Sequence, residues 1–222
     1  MARPALYLMA KTGWRETARS TVLALLVGAF LTGAAGAQRA PLDCTGPFAR
    51  DADERALVDS FGAANVRRAD IDVGEAMTEP GNVVFADDAA RRMEILWHDA
   101  AERRRPALIR FRAPSAWQIA LAHPAGATVA LGATLADVEG LNGAPFALSG
   151  FGWDLGGYAS GWQKGRMQPL GGCFLSLRFD EGREAPPDAL ETVNGDKQFD
   201  SSDPAMRRAR PTVNEMSLGW PE

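Results

Sequence analysis

The stretch that decides the fold is Leu131–Trp162, LGATLADVEGLNGAPFALSGFGWDLGGYASGW. Thr134 is placed to cap a short helix, and Asp137 follows three residues later, the spacing of a capping box. Leu135, Val138 and Leu141 then recur at intervals of three and share one helical face. Asn142-Gly143 supplies a left-handed stop, and Pro145 prevents the helix from restarting. Beyond it, Phe146, Leu148, Phe151 and Trp153 read as strand, Asp154 to Gly157 as a turn, and Tyr158 to Trp162 as the returning strand. A short capped helix feeding an antiparallel hairpin predicts an α+β fold.

The same reading extends outward. Upstream, Asp51 or Asp53 caps a helix over Glu54 to Phe61, with Leu57, Val58 and Phe61 inward and Gly62 as its stop. Strand-like runs follow: Asn65-Val66 leads toward Ile71 to Val73, Asn82 to Phe85 stands after a Pro80-Gly81 turn, and Met93 to Trp97 is bulky and apolar. Others lie at Leu108 to Phe111, Ser115 to Leu121 and Thr128 to Ala130. Downstream, Cys173 to Phe179 alternates most cleanly, with Cys173, Leu175, Leu177 and Phe179 on one face. Asp180 to Asp188 reads as a polar loop, and Leu190 to Val193 is ambiguous. Lys197 to Arg210 reads as irregular and Val213 to Leu218 as a last strand. The expectation is an antiparallel sheet with two short helices. Ala56–Val66 and Ala136–Phe146 both read as a capped helix, a glycine stop and a strand start. A duplicated helix-plus-strands unit, in halves of about 50–125 and 130–222, is therefore one expectation. The other is that any helix-to-strand junction has this look.

The chain of 222 residues begins with the features of an export leader. Arg3, Lys11, Arg15 and Arg19 form a positive region, Thr21 to Leu31 is uncharged and apolar, and Ala35-Gly36-Ala37 is a small-x-small cleavage site. A signal peptide over 1–37 leaves a single domain over 38–222, periplasmic or secreted; an uncleaved anchor is the alternative. Removing the leader takes away four basic residues and Glu16, leaving 20 Lys+Arg against 27 Asp+Glu and a charge of −7. That balance argues against nucleic acid as a partner. No later apolar run has the length of a membrane span.

Two cysteines, Cys44 and Cys173, remain in the mature chain. In an oxidising compartment one long-range disulfide is the natural reading, with two separate thiols or an intermolecular bridge as alternatives. Pro41-Leu42-Asp43 lacks the small residue expected before a lipidated cysteine. The only histidines, His98 and His123, fall in no metal-binding spacing. No Gly-x-Ser-x-Gly elbow, Walker motif or dinucleotide fingerprint is present. The glycine-rich run Phe151–Gly157 lies between strands, which fits hairpin geometry better than phosphate binding. Asn194, Asp196, Asp200 and Asp203 offer oxygen ligands, but not at EF-hand spacing, so a solvated polar loop is preferred to calcium. No metal, cofactor or catalytic residue is expected.

The aromatic hairpin offers the candidate binding face: Trp153, Asp154, Tyr158 and Trp162. Trp and Tyr beside an acidic residue suit an interface anchor. Core packing across the hairpin is the competing reading.

Gly132-Ala-Thr-Leu-Ala-Asp-Val-Glu-Gly-Leu-Asn-Gly-Ala-Pro145, with Phe151 and Trp153 beyond, resembles a helix-to-strand signature of small envelope domains. These include outer-membrane assembly lipoproteins and β-lactamase-inhibitor-protein-like modules. The Leu-Asn-Gly…Gly-Phe-x-Trp-Asp core also resembles that of uncharacterised exported bacterial proteins. That likeness extends through Phe61-Gly62, Asn82-Val-Val-Phe85 and Ile95-Leu-Trp97, and implies no activity. Export, an acidic body, the aromatic hairpin and the lack of a catalytic constellation make the leading expectation a non-catalytic exported (periplasmic) binding or interaction protein of unknown partner, with another envelope protein as one candidate. A small secreted hydrolase using His98 or His123 with a carboxylate is the alternative, and an enzyme inhibitor, by analogy of fold, is a third.

Overall fold

The computed structural model describes residues 40–222. The leader expected over residues 1–37 lies outside them. The described residues build twelve strands and four short α-helices. A six-stranded antiparallel sheet has the order β1 (Val66–Gly74), β2 (Met77–Val84), β3 (Met93–Asp99), β4 (Arg104–Arg112), β12 (Thr212–Gly219), β10 (Phe174–Asp180). The first four strands form a meander, and the C-terminal strand then inserts between β4 and β10. Two three-stranded sheets complete the β structure. One is β6 (Thr128–Ala130), β5 (Gln118–His123) and β9 (Gln168–Pro169); the other is β11 (Gln198–Asp200), β7 (Ala147–Ser149) and β8 (Ala159–Gly161).

The inner face of the large sheet carries the core. Met93, Ile95, Ile109, Phe111, Leu175, Leu177, Phe179, Met216 and Leu218 point inward at the period-two spacing of strands. They meet Leu57 of α1 (Glu54–Phe61), Ile119 of β5, Val138 of α2 (Leu135–Asn142) and Phe146 and Leu148 around β7. Helices and small sheets thus form a second layer over one face of the large sheet. A buried polar chain fixes α1: Trp97 Nε1 donates to Asn82 Oδ1 (2.8 Å), and Asn82 Nδ2 donates to Glu54 Oε1 (2.8 Å).

Several sequence readings hold in detail. The first helix spans Glu54–Phe61, with Asp53 accepting from the Ala56 N–H and Gly62 at its end. The second spans Leu135–Asn142 and has the full Thr134/Asp137 capping box, with Gly143 left-handed (φ 76°). Ala147–Ser149 and Ala159–Gly161 pair antiparallel, so the expected hairpin exists. Cys44 and Cys173 form one intrachain disulfide, with their Cα atoms 6.0 Å apart.

Other readings change. Two further helices stand where loop or ambiguity was expected: α3 (Pro187–Val193) and α4 (Pro204–Ala209). Pro80-Gly81 is no turn. The β1–β2 turn falls at Glu75 and Ala76, both with positive φ, and β2 runs straight through the proline. Its pairing with β3 begins only at Gly81, so Pro80 faces no β3 residue and its missing N–H costs the ladder nothing there. The two stretches compared as a repeat share a capped helix and a glycine stop, then diverge. After α1 and a 3-10 turn at Ala63–Asn65 the chain enters the edge of the large sheet, whereas after α2 it enters the middle of a small one.

Candidate functional site

The outer face of the large sheet holds a row of paired charged residues. It arises from the same alternation that makes the core: Arg110 stands between inward Ile109 and Phe111 with Arg112 following, Glu94 stands between Met93 and Ile95, and Glu215 stands beside Met216. Strand register places these side chains opposite one another. Glu94 pairs with Arg110, Arg112 with Glu215, and Glu215 with Arg178 of β10. Directly opposite residues share a face and lie close enough for charge pairing.

The resulting row is continuous. Arg110 donates through Nε (2.9 Å) and Nη2 (2.7 Å) to Glu94 Oε2, and Arg92 Nη2 donates to Glu94 Oε1 (3.1 Å). Arg112 Nε donates to Glu215 Oε2 (2.8 Å), with its Nη1 3.7 Å from Glu94. The Tyr158 hydroxyl donates to Glu215 Oε1 (3.1 Å), and the Arg178 guanidinium lies 5.1 Å from the centre of the Tyr158 ring. Arg178 is held in turn by the carbonyls of Gly156 (2.9 Å) and Asp154 (3.1 Å).

Two walls frame the face. On one side the β1–β2 hairpin arches over it. Arg110 Nη2 donates to the Asp72 carbonyl (2.6 Å), although β2 and β3 separate their strands in the sheet. Strands three places apart in a flat sheet lie about 14 Å from one another, beyond such a contact, so the hairpin must curl. Ile71, Val83 and Leu96 form a small apolar cluster under that curl. On the other side stands the loop from Gly150 to Tyr158. Its glycines serve contact: Gly157 has φ 77°, and a Cβ there would come within 2.0 Å of the Phe179 carbonyl. The Phe179 N–H in turn donates to the Gly157 carbonyl (2.8 Å). A hollow of about 220 Å³ opens in this face, lined by Arg92, Glu94, Arg110 and Arg112 over Met93, Ala113 and Pro114.

Electrostatics follow from burial. At Glu94 desolvation acts to raise the carboxyl pKa, but the Arg110 hydrogen bond and charge, helped by Arg92 and Arg112, overcome it and hold the pKa below its ordinary value. Burial, reinforced by the Glu215 charge, pushes the Tyr158 phenol up. Tyr158 therefore stays a neutral donor to Glu215 across the physiological range.

The four residues expected to form one aromatic face are divided by the structure. Strand β7 stops at Ser149, so Trp153 lies in the loop, half-buried, with its Nε1 donating to the Gly150 carbonyl (3.0 Å). Trp162 turns to the core and meets Phe146, ring centres 5.6 Å apart. Asp154 is exposed, with its carbonyl holding Arg178. Tyr158 alone joins the charged row. His98 Nε2 donates to the Trp220 carbonyl (2.8 Å), and His123 is exposed beside Pro124 and Arg166. Neither histidine forms an ion pair with a carboxylate among the described residues. Asp200 accepts from Ser202 and from Gln163 Nε2 (3.1 Å), while Asp203 caps α4. Among the described residues no group of three or more His, Cys, Asp or Glu side chains is arranged to hold a metal ion, and no helix is long and apolar enough to cross a membrane.

The charged row itself escaped the sequence reading. Its signal was present as Arg110-x-Arg112, Glu215-x-Ser217 and Ser176-x-Arg178, each alternating with apolar residues. No protein-family model, curated protein or solved structure matches the chain.

Proposed function

We propose that this is an exported, non-catalytic binding protein that meets its partner through the outer face of its large sheet. The observation that carries the reading is the tethered arginine row. Arg92 and Arg112 are each anchored to a carboxylate at one nitrogen, yet their side chains remain 43 % and 44 % exposed at the rim of the hollow. Guanidiniums fixed in this way are pre-organised for recognition, because less conformational freedom is lost on binding. The row stands on rigid strands and brings four guanidiniums together in a chain of formal charge −4. Tyr158 and Asp154 at its end keep part of the aromatic hairpin in the same surface. Trp153 and Trp162 serve the loop and the core.

Export is supported by the basic, apolar and small-residue order of the first 37 residues, and by a disulfide that suits an oxidising compartment. Another envelope protein is the partner expected of an exported protein.

The test is charge reversal. The purified protein, immobilised, is exposed to an envelope extract, alongside an Arg92→Glu/Arg112→Glu variant and an Arg104→Glu control. Arg104 lies on the exposed end of β4 and pairs with Asp99. Loss of a retained component with the double variant, and its retention by the control, is the expected outcome. Equal retention by all three sinks the assignment to this face.

A further inference from the structure

We infer that the hollow at Arg92 and Arg112 is a carboxylate-binding site, taking an organic monoanion with a short apolar body. This inference rests on the outer face being the binding surface. It goes further by naming the chemistry that the hollow accepts.

The two arginines at the hollow leave most of their hydrogen-bond donors unused. A guanidinium carries five N–H donors in a fixed fork. Among the described residues Arg92 gives one hydrogen bond, to Glu94, and Arg112 gives one, to Glu215. Both line the hollow, so unpaired N–H groups border it from two strands. Arg110 differs: it is buried and spends its donors on Glu94 and the Asp72 carbonyl. Its role is to hold Glu94 in place, and Glu94 then holds Arg92 on one oxygen and lies near Arg112 on the other. The two open forks are thus set by a buried ion pair rather than by solvent-exposed side chains alone.

Charge and lining select the ligand. Four guanidiniums on this face stand against Glu94 and Glu215, with the Asp72 charge also felt at Arg112. The surplus is about one positive charge. A single carboxylate neutralises it and presents two coplanar oxygens to a guanidinium fork. A dianion such as phosphate would set its second charge against Glu94. The floor of Ala89, Ala113 and Pro114 is apolar, which suits the hydrocarbon part of an organic acid. A small acid and the C-terminal carboxylate of a chain share this chemistry.

The probes are butyrate, butyramide, N-acetyl-alanyl-alanine and inorganic phosphate, each titrated into the isotope-labelled full-length mature protein and followed by backbone amide NMR. Butyrate or the capped dipeptide should shift the amides around Glu94 and Arg112, saturating with a dissociation constant of about 1 mM. Butyramide should shift none of them. Arg92→Gln and Arg112→Gln should each weaken carboxylate binding about tenfold, and Arg104→Gln should leave it unchanged. Tighter binding by the dipeptide points to a chain terminus, tighter binding by butyrate to a small acid, and either order supports a carboxylate site. The inference is overturned if neither carboxylate shifts these amides, if phosphate binds where both carboxylates fail, or if the arginine variants bind as the wild type does. Spectra of the variants with native dispersion exclude misfolding as the cause of lost binding. If carboxylates fail while charge reversal still abolishes partner retention, only this inference falls. If carboxylates bind while retention ignores the face, the partner reading falls instead.

Discussion

At the scale of single residues, Glu94 joins structure to recognition. Among the described residues it is the only hydrogen-bond acceptor of Arg92 and one of two for Arg110, and it is itself largely buried. Removing its charge leaves the largely buried Arg110 guanidinium without its carboxylate partner, so Glu94→Gln should lower unfolding stability by about 3 kcal/mol. Urea denaturation measures this, and a loss within error of zero would show that the pair does not anchor the face. The sign of the pH effect also follows. Its folded-state pKa lies below the ordinary 4.5, so the contribution is present above that value and is lost as pH falls through the depressed pKa. Melting temperature should decline below pH 4.5 in the wild type, with a shallower decline in Glu94→Gln.

At the scale of elements, the loop between β7 and β8 gives a contrast of two glycines. Gly157 combines positive φ with a carbonyl where its Cβ would be, while Gly161 in β8 has nothing within 4 Å of that position. Gly157→Ala should therefore cost at least about 2 kcal/mol, through the loss of the loop's seat on β10, whereas Gly161→Ala should stay within about 0.5 kcal/mol. Similar losses at both positions would remove the claim that the loop is seated by close approach. The same stretch shows how much was legible. Caps and stops at α1 and α2 were readable because Asp53, Thr134, Asp137 and the glycines act within one turn of chain. Helix α4 was missed although Asp203-Pro204 marks its start, because six residues give too little periodicity to see. Pro80-Gly81 misled because whether a proline breaks a strand depends on where the neighbouring strand begins. The charged row was missed for a related reason: each strand showed its alternation, but Arg112 and Glu215 stand 103 residues apart, and only the β4–β12 pairing brings them together.

At the scale of the whole molecule, the disulfide closes most of the described chain into one loop. Cys44 and Cys173 are separated by 129 residues, a span that includes β1 to β9 and the first two helices. Leu42 bridges Ile119 of β5, and the Cys44 N–H donates to the Leu170 carbonyl, so the bond fixes the start of the described chain against β5 and β10. Closing a loop of this length restricts the unfolded ensemble by about 4–5 kcal/mol in the chain-entropy account. A Cys44→Ala/Cys173→Ala variant should thus unfold at markedly lower urea, with the native sheet retained in its absence. Intact mass of the exported protein tests the same bond in place: a single-chain mass starting at Gln38 should gain two alkylated thiols only after reduction. Two thiols reactive without reductant would mean that the sheet's own packing holds the termini together, and the stability lost in the double variant would then have to come from cavities at Cys44 and Cys173 rather than from loop closure. A mass retaining the leader would make this an anchored protein, and its partner would have to be sought at the membrane.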